Sequence, residues 1–229
     1  MSRTAGMSFP LAILVDVVSA LAALVLAGAF VALWRRSRAP LHILFATAFA
    51  TLAVGMSVVS TSEFDLSGSH PAIDALRVVA HTAAPLMLVL GYRAAWRDLE
   101  ARPARTALVS LGLSGGLAAL LFFAPPSGAI SAGTTSAGFA VAHALQFLLY
   151  LALVTLSART FFRAPSWRRA LVPLAFLAYS FSKYSWILID LSEDRSLVAL
   201  VYFWRFVTLA LFLAALLIPL VKGVRHAEA

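Results

Sequence analysis

Residues 163–192, RAPSWRRALVPLAFLAYSFSKYSWILIDLS, decide the fold. The stretch opens on Arg163, Arg168 and Arg169 and closes on Asp190. Between them runs an apolar segment long enough to cross a bilayer, which takes about 20 residues. Lys183 stands partway along that run. An earlier stretch, 38–67, shares the frame. It begins with Arg38, Ala39 and Pro40 and ends with Asp65, Leu66 and Ser67, where the later one has Arg163, Ala164, Pro165 and then Asp190, Leu191, Ser192. Both matches fall at one offset without a gap, and both flank an apolar helix. This reads as an internal duplication, although helix ends and turns also reuse Pro, Asp and Ser for local reasons.

The rest of the chain has the same character. It is 62% hydrophobic and 12% charged, and long apolar runs recur throughout, which excludes an ordinary soluble domain. Cysteine is absent, so disulfides and thiolate metal sites are excluded. The run Phe9 to Trp34 is too long for the h-region of a cleaved signal, roughly 7–15 residues. The expected spans are 9–34, 40–61, 71–96, 105–124, 136–160, 168–190 and 197–222, joined by short polar or Pro- and Gly-bearing linkers. The expected fold is therefore all-α: a polytopic membrane protein, residues 1–229 forming one seven-helix transmembrane domain. No extramembrane domain is expected.

Charge sets the expected orientation. Arg35, Arg36 and Arg38, then Arg93, Arg97, Arg102 and Arg105, then Arg159, Arg163, Arg168 and Arg169, and finally Lys222 and Arg225 all fall on one side. The other side has Arg3 and Arg195 against Glu63, Asp65, Asp190, Glu193 and Asp194. The positive-inside rule puts the N-terminus outside and the C-terminus in the cytoplasm, with the cell membrane as the expected location. The net charge of +8 is thus explained by topology, and nucleic acid is not an expected partner. If the duplication is real, repeat one covers 9–96, repeat two covers 136–222, and helix 105–124 links two parallel three-helix units.

Ionisable side chains inside spans cost several kcal/mol and need a partner or a purpose. Here Asp16, Arg77, His81, His143, Gln146, Lys183 and Arg205 lie at similar depth, about 5–15 Å in from the acidic ends of their helices at ~1.5 Å per residue. Asp74, Arg77 and His81 follow a helical spacing, as do His143, Gln146 and Tyr150. Tyr179, Lys183, Trp186 and Asp190 form a third such stripe, and Tyr202, Arg205 and Thr208 a fourth. The expected ligand pocket is Asp16, Arg77, His81, His143, Gln146, Tyr179, Lys183, Trp186 and Arg205, reachable from outside and suited to a polar or anionic ligand. Asp74 and Asp190 read as interfacial or helix-end residues. An Asp16–Arg205 pair can also be purely structural, and Lys183 can snorkel outward.

Other chemistry is less well supported. His81 and His143 offer axial imidazoles for a b-type haem, with Arg77 and Arg205 toward its propionates. Two buried histidines are more often packing residues with hydrogen-bond partners. Gly112-Leu113-Ser114-Gly115 matches the GxSG of rhomboid proteases, but the bulky AHALQFLLYLAL around His143 departs from that pattern. The segment SLGLSGGLAAL reads as a small-residue packing surface. No phosphate loop, HExxH or paired-carboxylate motif occurs in the spans, so an enzyme is not expected.

The seven-helix plan resembles the microbial rhodopsins. Arg77 to Leu90, RVVAHTAAPLMLVL, is similar to their third helix, and Tyr179, Tyr184 and Trp186 resemble their ring-lined pocket. The resemblance implies an opsin-like fold. It does not imply retinal, because helix 7 has no lysine and carries Arg205 where the family has an aspartate. The SWEET sugar transporters share a three-plus-one-plus-three helix plan but carry a Pro-Gln pair that this chain lacks. The expected function is a receptor- or sensor-like protein or a small-molecule carrier. The alternatives are a b-type haem membrane cytochrome and an accessory subunit of a larger membrane complex. A protein partner in the membrane is compatible with the short tail KGVRHAEA, which holds no output domain.

Overall fold

A computed structural model describes residues 9–64, 71–96, 102–122, 133–163, 165–192 and 194–227. Seven helices are present: α1 (Phe9–Ser37), α2 (Pro40–Phe64), α3 (Pro71–Trp96), α4 (Pro103–Phe122), α5 (Gly133–Arg163), α6 (Trp167–Ser192) and α7 (Val198–Ala227). A single 3₁₀ turn, Arg195–Leu197, precedes α7, and no strand occurs among the described residues. All seven helices are long and apolar enough to cross a membrane, so this is a multi-pass membrane architecture. The expected spans are recovered with ends displaced by a few residues. Asp65, His70, Arg97 and Glu193 lie outside the described residues.

Local chemistry explains the helix ends. Helices α2, α3 and α4 each begin on proline, whose fixed φ suits the first helical position and whose missing N–H is no loss there. Arg38 ends α1 in the left-handed region at φ 55°, and its amide donates to the Trp34 carbonyl at 2.7 Å, an αL stop made without glycine. Ser166 caps α6 by accepting from the Arg169 amide at 3.3 Å. Asp194 accepts from the Ser196 amide at 2.9 Å. Hydrogen bonds from the Ser196 hydroxyl and amide hold the Asp194 carboxyl below its ordinary value.

Packing follows a ring. Helix α1 packs on α2 and α2 on α3; α5 packs on α6 and α6 on α7; α3 meets α5 directly, and α7 returns to α1. Helix α4 stands beside the ring, mainly against α3. Its buried residues are Ser110, Ser114 and Ala118, one narrow face at i, i+4, i+8, while Leu108, Leu113 and Leu120 point outward. Those outward leucines, with Leu14, Leu21 and Leu148 on other helices, suit a hydrocarbon surround.

The core divides by depth. Toward the basic ends of the helices it is aromatic. Phe30 stacks on Phe49 at 5.7 Å, Phe49 meets Phe212 edge-on at 5.2 Å, and Phe212 meets Phe176 edge-on at 5.1 Å. Phe45 and Tyr92 extend the set with an edge contact at 5.5 Å. Such edge-to-face pairs contribute about 0.5–1.5 kcal/mol beyond their area. A cavity of about 20 Å³ lies where this plug meets the polar half, lined by Met56, Leu88, Tyr150, Tyr179 and Thr208 among others.

Helices α2 and α3 approach closely at Gly55. A methyl there would sit 2.9 Å from the Ala80 Cβ and 3.3 Å from the His81 ring. Ala80 has no flexible end to yield, so the helices must part. Gly55→Ala is expected to cost about 1–3 kcal/mol, the usual range for overpacking. A denaturation midpoint in detergent equal to that of the parent protein would refute this close contact.

Candidate functional site

The stripe residues converge on the interior of the half toward the acidic ends. Asp16, His81, His143, Gln146, Tyr179, Lys183 and Arg205 are buried, and Arg77 and Trp186 are half-buried. They gather into three linked groups.

The first group joins α1 to α7. Asp16, fully buried, forms an ion pair with Arg205, and the Tyr202 hydroxyl points to the other Asp16 oxygen at 3.5 Å. The Arg205 guanidinium also lies 5.1 Å from the Tyr202 ring centre. Arg205 Nε has no hydrogen-bond partner among the described residues.

The second group joins α3, α5 and α6. The His143 ring is stacked between Trp186 at 5.6 Å and Phe139 at 6.2 Å. Its Nδ1 is hydrogen-bonded to the Asp190 carboxylate at 2.7 Å. Arg77 reaches from α3 to the two outer rings of this stack, 5.4 Å from Trp186 and 5.7 Å from Phe139. A guanidinium within about 6 Å of a ring face is attracted by the ring quadrupole, and more strongly when desolvated.

The third group lies between them. Lys183 is buried to 3% exposure, with its ammonium 5.4 Å from the Tyr179 ring centre. The Asp16 carboxylate is paired with Arg205 and the Asp190 carboxylate is hydrogen-bonded to His143, and neither lies within ion-pair distance of Lys183. Lys183 therefore does not snorkel to solvent; it is held inside by its place on the buried face of α6. Tyr179 and Tyr150 lie side by side at 4.5 Å, with their hydroxyls turned toward each other. Gln146 donates to the Thr82 hydroxyl at 3.0 Å, yet its Oε1 and the Nδ1 of His81 have no hydrogen-bond partner among the described residues.

Asp74 lies in the first turn of α3 and Asp190 two residues before the end of α6, so both are helix-end residues. Asp190 is also the hydrogen-bond partner of His143, and Asp74 is buried at 8% exposure, because α3 and α6 lie within the packed ring. Counted with these two, the layer holds Arg77, Lys183 and Arg205 against Asp16, Asp74 and Asp190, so its cations do not outnumber its acids. The balance is uneven in space, and Lys183 is where it is uneven. Phe139 escaped the sequence reading, although it stands one turn before His143 and extends that stripe.

A haem between His81 and His143 does not fit the residues as placed. The Gln146–Thr82 hydrogen bond ties α5 to α3 within a turn of both histidines. His143 is held in a ring stack with Nδ1 on Asp190, and the His81 ring lies against the α2 backbone at Gly55. A macrocycle would have to displace all three. Among the described residues no cluster of three or more His, Cys, Asp or Glu is placed to hold a metal ion. No family model and no curated protein matches this chain.

Proposed function

We propose that this chain is a non-enzymatic protein of the cell membrane that binds a small polar or anionic ligand at Lys183. It acts as a receptor-like sensor or as a carrier. The observation that carries this reading is the buried amine of Lys183, beyond ion-pair distance of Asp16 and Asp190, in a layer where polar atoms of Gln146, His81 and Arg205 have no hydrogen-bond partner among the described residues. A buried charge is costly unless paired, and buried polar atoms are normally satisfied. A ligand that accepts from Lys183 and Arg205 Nε removes both penalties at once.

The direction of access follows from the charge distribution. The basic loops support an outside N-terminus; in that orientation the polar half faces the exterior and the aromatic plug of Phe30, Phe49, Phe176 and Phe212 faces the cytoplasm. The neighbour pattern supports parallel repeats, since α1–α2–α3 and α5–α6–α7 pack alike and α4 stands aside. In parallel-repeat carriers the site lies at the repeat interface, and the polar layer here draws residues from both units.

The test is thermal unfolding of the purified protein against chloride, nitrate, formate, acetate and glycine. A ligand present at 100 times its Kd adds about 2.7 kcal/mol to stability. The expected result is stabilisation by at least one compound, lost in Lys183→Met. Stabilisation that survives Lys183→Met, or none by any compound, would count against this site. Uptake of the stabilising compound by proteoliposomes separates a carrier from a sensor.

A further inference from the structure

A second site lies at the opposite end of the bundle. Trp96 ends α3, and two guanidiniums from α5 approach its ring: Arg159 at 5.2 Å and Arg163 at 4.2 Å from the centre. The two arginines are one helical turn apart, so they share a face of α5. Both are exposed, while Trp96 is half-buried. Other arginine–tryptophan contacts in the chain are different. Arg38 lies over Trp34 and Arg168 over Trp167, each a single arginine on a tryptophan of its own segment, and Arg77 reaches Trp186 from another helix but as one guanidinium. At Trp96 the indole of one helix gathers two like charges from another. Arg93 stands one turn earlier on α3, exposed.

Two guanidiniums on one indole repel each other, and the arrangement calls for an anion. Among the described residues no carboxylate lies within ion-pair distance of either arginine. The anion best suited to two adjacent guanidinium forks is a phosphate, whose several oxygens accept from both. The site sits where α3 and α5 end together beside the basic loops, at the level of a bilayer interface, where tryptophan is enriched and anionic headgroups are available.

We propose that Arg159, Arg163 and Trp96 form a binding site for the phosphate of an anionic phospholipid headgroup. The indole holds the two guanidiniums in place before the lipid arrives, so little side-chain order is lost on binding. The lipid clamps the α3–α5 junction, which together with the α1–α7 contact joins the first three helices to the last three. This site is independent of the ligand at Lys183.

The test is native mass spectrometry of the full chain from mixed micelles of three parts phosphatidylcholine to one part phosphatidylglycerol, counting lipid retained after detergent exchange. Retained phosphatidylglycerol is expected on the parent protein. Arg159→Gln with Arg163→Gln should weaken retention about thirtyfold, on the strength of two basic residues at an anionic surface. Arg168→Gln with Arg169→Gln removes the same charge from the same side and should change it less than about threefold. Equal losses in the two double variants would mean diffuse charge and overturn the proposal. Unchanged retention in the first double variant overturns it too. Should the first double variant fail to fold, Trp96→Leu carries the test, since it keeps every charge and removes only the platform; retention equal to the parent would then refute the site. Displacement of the lipid by millimolar inorganic phosphate would also overturn it, by reassigning the site to a soluble anion.

Discussion

Arg205→Leu is expected to cost about 3–5 kcal/mol of stability, the range for removing one partner of a buried ion pair. The loss comes less from the missing attraction than from what remains. Asp16 has no exposure to solvent and its carboxylate pairs with Arg205, so the variant leaves a bare carboxylate inside the bundle beside the Tyr202 hydroxyl. Asp16→Leu should cost a similar amount by stranding the guanidinium. Asp16→Leu combined with Arg205→Leu should recover most of the loss, because two apolar residues of similar volume leave no uncompensated charge. The coupling energy from the double-mutant cycle in detergent is then several kcal/mol. Additive losses would show that the pair does not exist as a unit. The pair also closes the ring at α7 and α1, so the single variants should admit solvent there, readable as faster amide exchange in both helices.

Lys183→Met is expected to act in the opposite sense. Here the parent side chain ends in a buried amine beyond ion-pair distance of Asp16 and Asp190, and methionine replaces it with an unbranched apolar chain of similar length. Stability should rise by about 1–3 kcal/mol, the scale on which apolar residues outperform buried charges. Ligand stabilisation should vanish in the same variant. This combination of a more stable protein with no response separates a functional lysine from a structural one. A structural Lys183, engaged with a partner, would lose stability on the same change. Lys183→Arg keeps the charge but enlarges and flattens the head; it should bind weakly, since a planar fork does not reproduce a compact ammonium beside Tyr179.

Much of the candidate site was legible in the sequence for a definite reason. A charge inside an apolar run is conspicuous, and the 3.6-residue period assigns it to a face. Asp16, Lys183 and Arg205 were found that way and are buried. Asp190 and Asp74 were placed at helix ends, but the burial of Asp74 and the His143 partner of Asp190 were not legible, because closeness to a helix end says nothing about whether neighbouring helices cover that end. Phe139 was missed because an aromatic residue near the end of an apolar span carries no contrast. Gly55 was missed likewise: its meaning lies in the Ala80 and His81 atoms across the α2–α3 contact, which no local pattern reveals.

The amino-acid sequence by itself determined that seven helices cross a membrane, roughly where each begins and ends, and that their polar groups share one depth. Length, hydropathy and proline placement are local properties, and the bilayer imposes the same length on every span. Only the tertiary structure decided which groups meet. It pairs Asp16 with Arg205 across 189 positions, sets His143 between Phe139 and Trp186, buries Lys183 beyond ion-pair distance of Asp16 and Asp190, and stands α4 outside the ring so that α3 meets α5. Those outcomes depend on the rotation and neighbour order of whole helices, which are set by packing summed over many contacts and by no single residue pattern.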